Sequence, residues 1–104
     1  MKTYTICGSM RFKKQMKEIA YYLETAKEFN ILQCVYCKEN TIPTAKELAR
    51  LKDSHYKKID LSDGIYVVNI NGYIGESVQE EIEYAKKRGK EIIYHCNREV
   101  PLNE

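Results

Sequence analysis

The residues best equipped for chemistry lie in one short stretch, Asn71-Gly72-Tyr73-Ile74-Gly75-Glu76-Ser77-Val78-Gln79-Glu80-Glu81. Gly72 and Gly75 permit backbone angles that other residues avoid, and they let a ligand approach the main chain closely. A helix opening near Ser77 would turn free N–H groups toward an anion. Glu81 falls one turn into that helix, four residues after Ser77, so the two share a face. A carboxylate placed there could serve as a nucleophile or a proton acceptor. Plain structural roles compete for the same residues. Ser77-Val78-Gln79-Glu80 has the form of a capping box, with Glu80 reaching back to the cap. An acidic first turn also suits the helix dipole, which would account for Glu81 without a substrate.

Two other clusters could join this stretch. Cys7-Gly8-Ser9-Met10-Arg11-Phe12 places a glycine, a hydroxyl and an arginine between a strand and a helix start, a combination suited to phosphate or carboxylate. Capping by Ser9 and a solvated Arg11 would explain it equally. The second cluster is His55-Tyr56-Lys57-Lys58-Ile59-Asp60. His55 titrates near neutrality and could assist proton transfer. Asp60 could accept a substrate hydroxyl or cap the turn into Ser62-Asp63.

Four cysteines, Cys7, Cys34, Cys37 and Cys96, are expected as free thiols in a cytoplasmic chain. Cys34 and Cys37 form a Cys-x-x-Cys. The redox version of that motif opens a helix, whereas this one sits in strand-like Ile31-Leu32-Gln33-Cys34-Val35-Tyr36-Cys37. A zinc site would need two more ligands, and His95 with Cys96 is the obvious pair. Buried thiols are the simpler expectation.

The elements that must position these groups alternate regularly. Residues 3–7 read as a strand, and a helix follows to about Phe29 with Met16, Ile19, Ala20, Leu23 and Ala26 as its apolar stripe. Asn30 suits the end of that helix. Residues 31–37 form a second strand. A second helix has Pro43 in its first turn, Thr41 or Thr44 as cap, and Leu48, Leu51, His55 and Ile59 along one face. The β-branched run Ile65–Ile70 makes the central strand. The third helix runs from about Ser77 to Arg88 and is closed by Gly89, and Glu91–His95 is the last strand. This order predicts an α/β fold: a flavodoxin- or Rossmann-like three-layer sandwich on a parallel sheet of four or five strands. In such sheets ligands bind beyond the carboxyl ends of the strands, where the strand order switches.

Residues 1–104 are expected to form a single domain. Seventeen basic residues against fifteen acidic ones leave a formal charge of +2, which provides no nucleic-acid footprint. No apolar run reaches membrane-spanning length and no leader pattern precedes the first strand, so the expected location is the cytoplasm.

With these residues assembled, the chain resembles the nucleoside 2-deoxyribosyltransferase-like superfamily, which includes the 2'-deoxynucleoside 5'-monophosphate N-glycosidases. The resemblance runs from Cys7-Gly8-Ser9-Met10-Arg11 through Gly89-Lys90-Glu91-Ile92-Ile93. Its sharpest part is Glu81-Ile82-Glu83-Tyr84-Ala85 with Gly89-Lys90, which looks like the family's Glu-Ile-Gly-Tyr-Ala element and downstream Gly-Lys. Glu83 stands where the family has glycine. The resemblance implies an enzyme that cleaves an N-glycosidic bond through Glu81 as nucleophile, by hydrolysis or transfer. It implies substrate contacts at Gly8, Ser9, Met10 and Arg11, which match the loop associated with a nucleotide 5'-phosphate, and at Asn71, Gly72, Tyr73, Gly75 and Ser77. The family's catalytic aspartate aligns with Tyr56, so the partner of Glu81 stays open among Tyr56, His55 and Asp60, with Asp53 one turn away. The implied partners are a small nucleotide or nucleoside and further copies of this chain, in a homodimer or higher homo-oligomer, with exposed tyrosines and the tail from Val100 to Glu104 as interface candidates. No metal and no organic cofactor is implied, and neither a nucleic-acid polymer nor a membrane. The alternative of a different class is a binding or sensing module of the same fold that holds a nucleotide without turnover.

Overall fold

A computed structural model describes residues 1–97. The expected interface tail, Val100 to Glu104, lies outside the described residues. The chain alternates β1 (Thr3–Gly8), α1 (Lys13–Ala26), β2 (Asn30–Leu32), α2 (Ala45–Leu61), β3 (Gly64–Val68), α3 (Glu76–Lys87) and β4 (Glu91–Tyr94), with short 3-10 turns after β1, β3 and β4. The four strands are parallel and ordered β2-β1-β3-β4. The α/β sandwich expected from the sequence is the fold observed.

Both faces of the sheet are covered, which is why β3 is buried at every position and β1 from Tyr4 to Cys7. One core holds Tyr4, Ile6, Tyr66, Val68 and Ile93 from the sheet against Met16, Ile19, Ala20 and Leu23 of α1. The opposite core packs Cys7, Ile65 and Val67 against Ile59 of α2 and Val78, Ile82 and Ala85 of α3. Gly8 pairs with Val68, so β1 and β3 end level with each other. The order switches between them: β1 leads outward to β2, and β3 outward to β4. The loops after β1 and β3 therefore flank the crevice that parallel sheets use for ligands.

Several boundaries differ from the sequence expectation. Strand β2 stops at Leu32 rather than residue 37. Beyond it the Lys58 ammonium donates to the Gln33 carbonyl at 2.8 Å, which ties the chain to α2 and away from β1. Asn30 opens β2 instead of closing α1. The left-handed residue after α1 is Glu28, with φ of 58°. Pro43 precedes α2 rather than lying in its first turn, and Thr44 is the cap. Thr44 and Glu47 form the reciprocal capping box, with bonds of 3.1 and 2.8 Å. The capping box expected at Ser77 is absent, because α3 starts at Glu76 with Gly75 as its cap and Ser77 is already inside the helix. Ile70 belongs to a 3-10 turn, not to β3, and His95 lies beyond β4. Gly89 does close α3, with φ of 68°.

The far end of α2 is held by a cluster of polar bonds. Lys90 donates to the carbonyls of Asp60 and Ser62 at 3.0 and 2.8 Å, and the Tyr84 hydroxyl donates to Asp60 Oδ1 at 2.7 Å. A cation at helix carbonyls complements the dipole. Ser62 Oγ lies 2.6 Å from Thr5 Oγ1, which carries the anchor into the sheet. Among the described residues, no helix is long and apolar enough to cross a membrane.

Two stability tests arise from this packing. A Cβ on Gly64 would collide with the Glu91 backbone carbonyl in the neighbouring strand. Gly64→Ala is expected to lower unfolding stability by about 3 kcal/mol in urea titration, within the range for overpacking a rigid core; an unchanged midpoint would refute this close approach of β3 to β4. The second concerns His95, a buried residue whose Nδ1 shares a hydrogen bond of 2.9 Å with the Tyr66 hydroxyl. Burial lowers its pKa below the ordinary 6.5. The unfolded chain therefore binds a proton that the folded chain resists. The contribution of the neutral ring is full above about pH 6.5 and is lost as pH falls from there toward the lower folded value. The urea midpoint should fall over that window in the wild type and fall less in His95→Gln.

Candidate active site

Helix α2 is fixed at its C-terminal half, but its N-terminal half faces a gap left by the early end of β2. The gap is a cleft of about 330 Å³ lined by residues that include Gly8, Met10, Cys34, Leu51, Lys52, His55, Tyr56, Ser77, Glu80 and Glu81. It lies at the low end of the volume typical of small-molecule sites. Leu48 and Leu51, expected on the core face of α2, are part of its wall; Leu48 is 51% exposed.

Glu81 and His55 meet at the base of the cleft. His55 Nε2 lies 3.2 Å from Glu81 Oε1, with both side chains largely buried. A carboxylate can only accept, so Nε2 carries the proton of this bond. Cys7 Sγ lies 3.5 Å from the same nitrogen. Burial pushes the Cys7 thiol well up, and the Glu81 charge adds to the effect, so it stays protonated beside the carboxylate. His55 Nδ1 is buried without a hydrogen-bond partner among the described residues. This is not a nucleophile–base–acid relay. In such a relay the acid holds the far ring nitrogen, whereas here the thiol and the carboxylate converge on one.

Tyr56 lines the same cleft, with its ring edge-on to Tyr84 at a centroid distance of 4.7 Å. Burial raises its phenol pKa, and the charges of Glu81 and Glu80 raise it further, so it remains a neutral donor. Lys52 reaches Glu80 at 3.6 Å on the cleft wall.

The expected site residues divide into two groups. Glu81, His55, Tyr56, Gly8, Met10 and Ser77 come together around the cleft. Asp60 does not line it: its carboxylate is engaged by Tyr84, and Arg88 lies 4.0 Å away. Ser9, Arg11, Asn71, Gly72, Tyr73 and Gly75 also lie outside the lining. Ser9 Oγ accepts from the Arg11 amide at 3.4 Å, the local cap that the sequence offered as the plain reading. The Arg11 guanidinium stacks 3.9 Å from the Tyr73 ring, and Phe12 packs edge-on against that ring. Asn71 and Gly72 both have positive φ and form the turn after β3.

Sequence reasoning missed Cys7, Cys34, Lys52 and Leu51 as site residues. Lys52 precedes His55 by three positions on α2, a same-face spacing that was available in the chain. The expectation of buried cysteines holds for Cys7, while Cys34 is half-buried and Cys37 and Cys96 are exposed; all four are free. His95 and Cys96, the pair considered with the Cys-x-x-Cys, are engaged by Tyr66 and Asn69.

Comparison with protein-family models, with curated proteins and with solved structures finds no significant match.

The thiols provide a direct test of this geometry. Iodoacetamide at neutral pH should modify exposed Cys37 long before Cys7, read by peptide mass mapping over time, because a buried protonated thiol is a poor nucleophile. Equal rates for the two would refute the closed packing around Cys7.

Proposed function

We propose that the chain cleaves the N-glycosidic bond of a nucleoside or nucleoside 5'-monophosphate, with Glu81 as nucleophile. The observation that carries this reading is the Glu81 carboxylate at the switch-point cleft, oriented by the His55 N–H at 3.2 Å. The likeness of Glu81-Ile82-Glu83-Tyr84-Ala85 and Gly89-Lys90 to the nucleoside 2-deoxyribosyltransferase-like element supplies the reaction class.

In this mechanism a Glu81 oxygen attacks the anomeric carbon while the bond to the base breaks, and the bonding pair leaves with the base. The transition state resembles an oxocarbenium ion, which a 2-deoxy sugar forms more readily than a ribosyl one. The neutral Tyr56 phenol donates a hydrogen bond toward the departing base, and His55 keeps the carboxylate aimed. Water then attacks the glycosyl–enzyme ester to give hydrolysis, or a second base does so to give transfer; either releases Glu81.

One observation favours the binding-only alternative. With Asp60 bound to Tyr84, no aspartate is among the cleft-lining residues described, so the acid of the related enzymes has no direct equivalent. Oligomerisation belongs to the same proposal: Met10, Val35 and Leu48 are exposed at the cleft and could meet a second copy. Light scattering that shows only monomer at micromolar concentration would reject that part.

The deciding experiment incubates wild type, Glu81→Gln and Tyr56→Phe with deoxynucleosides and their 5'-monophosphates, following free base by chromatography. Wild type should release base, and Glu81→Gln should be slower by at least about a thousandfold, in line with loss of a covalent nucleophile. Tyr56→Phe should lose roughly ten- to a hundredfold, within the scale of a positioned donor. Saturable binding by all three proteins without base release would favour the binding module.

A further inference from the structure

The Cys7 contact with the ring nitrogen that orients Glu81 has no use in the glycosidase scheme. The Cys7 thiol also interacts with the Glu81 carboxylate itself, and its contact with the Thr5 carbonyl is long at 3.9 Å. What the three groups do share is a point. Cys7 Sγ, a His55 ring nitrogen and a Glu81 oxygen all lie within 4.8 Å of one another. We propose that Cys7, His55 and Glu81 form a binding site for a zinc-class divalent cation at the base of the cleft.

Two of the three ligand separations match what such an ion requires, and the third lies within 4.8 Å. Tetrahedral zinc with bonds of about 2.3 Å to sulfur and about 2.0 Å to nitrogen and oxygen separates its ligands by about 3.3–3.5 Å. The observed separations are 3.5 Å for sulfur to nitrogen and 3.2 Å for nitrogen to oxygen. The donor set, one thiolate, one imidazole and one carboxylate, suits a borderline-soft ion rather than magnesium or calcium, which take oxygen ligands. The charges also close. On binding, the Cys7 thiol gives its proton to solvent, the His55 proton moves from Nε2 to Nδ1 so that Nε2 can ligate, and thiolate plus carboxylate then neutralise the dication. Three protein ligands leave the fourth position toward the cleft, which Cys34 also lines. His55 Nδ1 lacks the outer hydrogen-bond partner that ligating histidines normally have, which is expected to weaken the site about 10- to 100-fold relative to a fully supported one. A cation held here withdraws charge from the Glu81 carboxylate and makes it a weaker nucleophile, so metal binding is expected to suppress glycosyl transfer.

The test is titration of the reduced, metal-free protein with cobalt(II), whose spectrum reports thiolate ligation directly and independently of base release. One equivalent should produce a near-ultraviolet sulfur-to-cobalt charge-transfer band together with the strong visible bands of four-coordinate cobalt. The charge-transfer band should disappear in Cys7→Ser and persist in Cys37→Ser. Glu81→Gln, which replaces a partly accessible side chain by its isostere, should weaken cobalt binding at least about tenfold. Absence of the band in wild type would overturn the proposal, as would a band that survives Cys7→Ser in folded protein. Should Cys7→Ser fail to fold, unchanged cobalt affinity in Glu81→Gln overturns it alone.

Discussion

Helix α2 is anchored along only half its length, and most of what distinguishes this small sandwich depends on that asymmetry. Ile59 is fully buried against the sheet, and the carbonyls that follow it are held by Lys90 while Tyr84 holds Asp60. Hydrogen bonds to charged groups contribute roughly 1.5–3 kcal/mol each, so this cluster outweighs any single apolar contact nearby. The opposite half of α2 is tied to α3 through the exposed Lys52–Glu80 pair at 3.6 Å, a weak link by comparison, and Leu48 remains exposed. Because β2 has only three residues, nothing in the sheet reaches up to cover it. A complete second strand would have filled the cleft. Its absence leaves His55, the last α2 residue before the anchored end, at the boundary between core and opening.

The same asymmetry explains why one sequence element serves both fold and site. In Glu81-Ile82-Glu83-Tyr84-Ala85, Ile82 and Ala85 face the core, and Tyr84 holds Asp60. Lys90, beyond the turn at Gly89, secures the neighbouring carbonyls. Only Glu81 is left on the cleft side. Structural demands therefore account for most of what the element has in common with the deoxyribosyltransferase pattern, and the chemical argument falls on one carboxylate and its imidazole. That division is a reason to weigh Glu81 separately from the motif around it.

Much of the fold was legible because periodicity carries it. Met16, Ile19, Ala20 and Leu23 of the expected stripe are buried as their spacing required, while its last member, Ala26, is exposed at the end of α1, and the β-branched central strand lies where both faces are covered. Local chemistry was harder to read. Ser77 and Thr44 each begin a capping-box pattern; the box forms at Thr44, while Gly75, two residues earlier, takes the cap position from Ser77 and α3 starts at Glu76. Residues 33–37 have strand-forming composition, yet a tertiary contact from Lys58 directs them elsewhere. For the site, Glu81 and His55 were visible as types and spacings. Cys7 was not, because its role depends on a register between β1 and α2 that no local pattern encodes. Leu48 and Leu51 misled for a related reason: an apolar stripe looks the same whether it faces a core or a cleft.

The loop after β1 shows how far the nucleotide reading can be pressed on physical grounds. Arg11, the residue suited to a 5'-phosphate, rests on Tyr73 with its guanidinium 3.9 Å from the ring. A cation–π contact at an exposed site is worth roughly 0.5–1 kcal/mol, whereas a charge-assisted hydrogen bond to a phosphate contributes roughly 1.5–3 kcal/mol. A dianion close to Gly8 and Met10 would therefore draw Arg11 away from the ring, at little cost to the fold. A free nucleoside offers no such replacement and would leave the stack intact. Tyr73 packs on Phe12 as well and keeps that contact in both cases. The Arg11–Tyr73 stack is thus compatible with either substrate. What separates them is whether a ligand's charge reaches the Gly8 side of the cleft, a distance that in the proposed reaction would be set by where Glu81 meets the anomeric carbon.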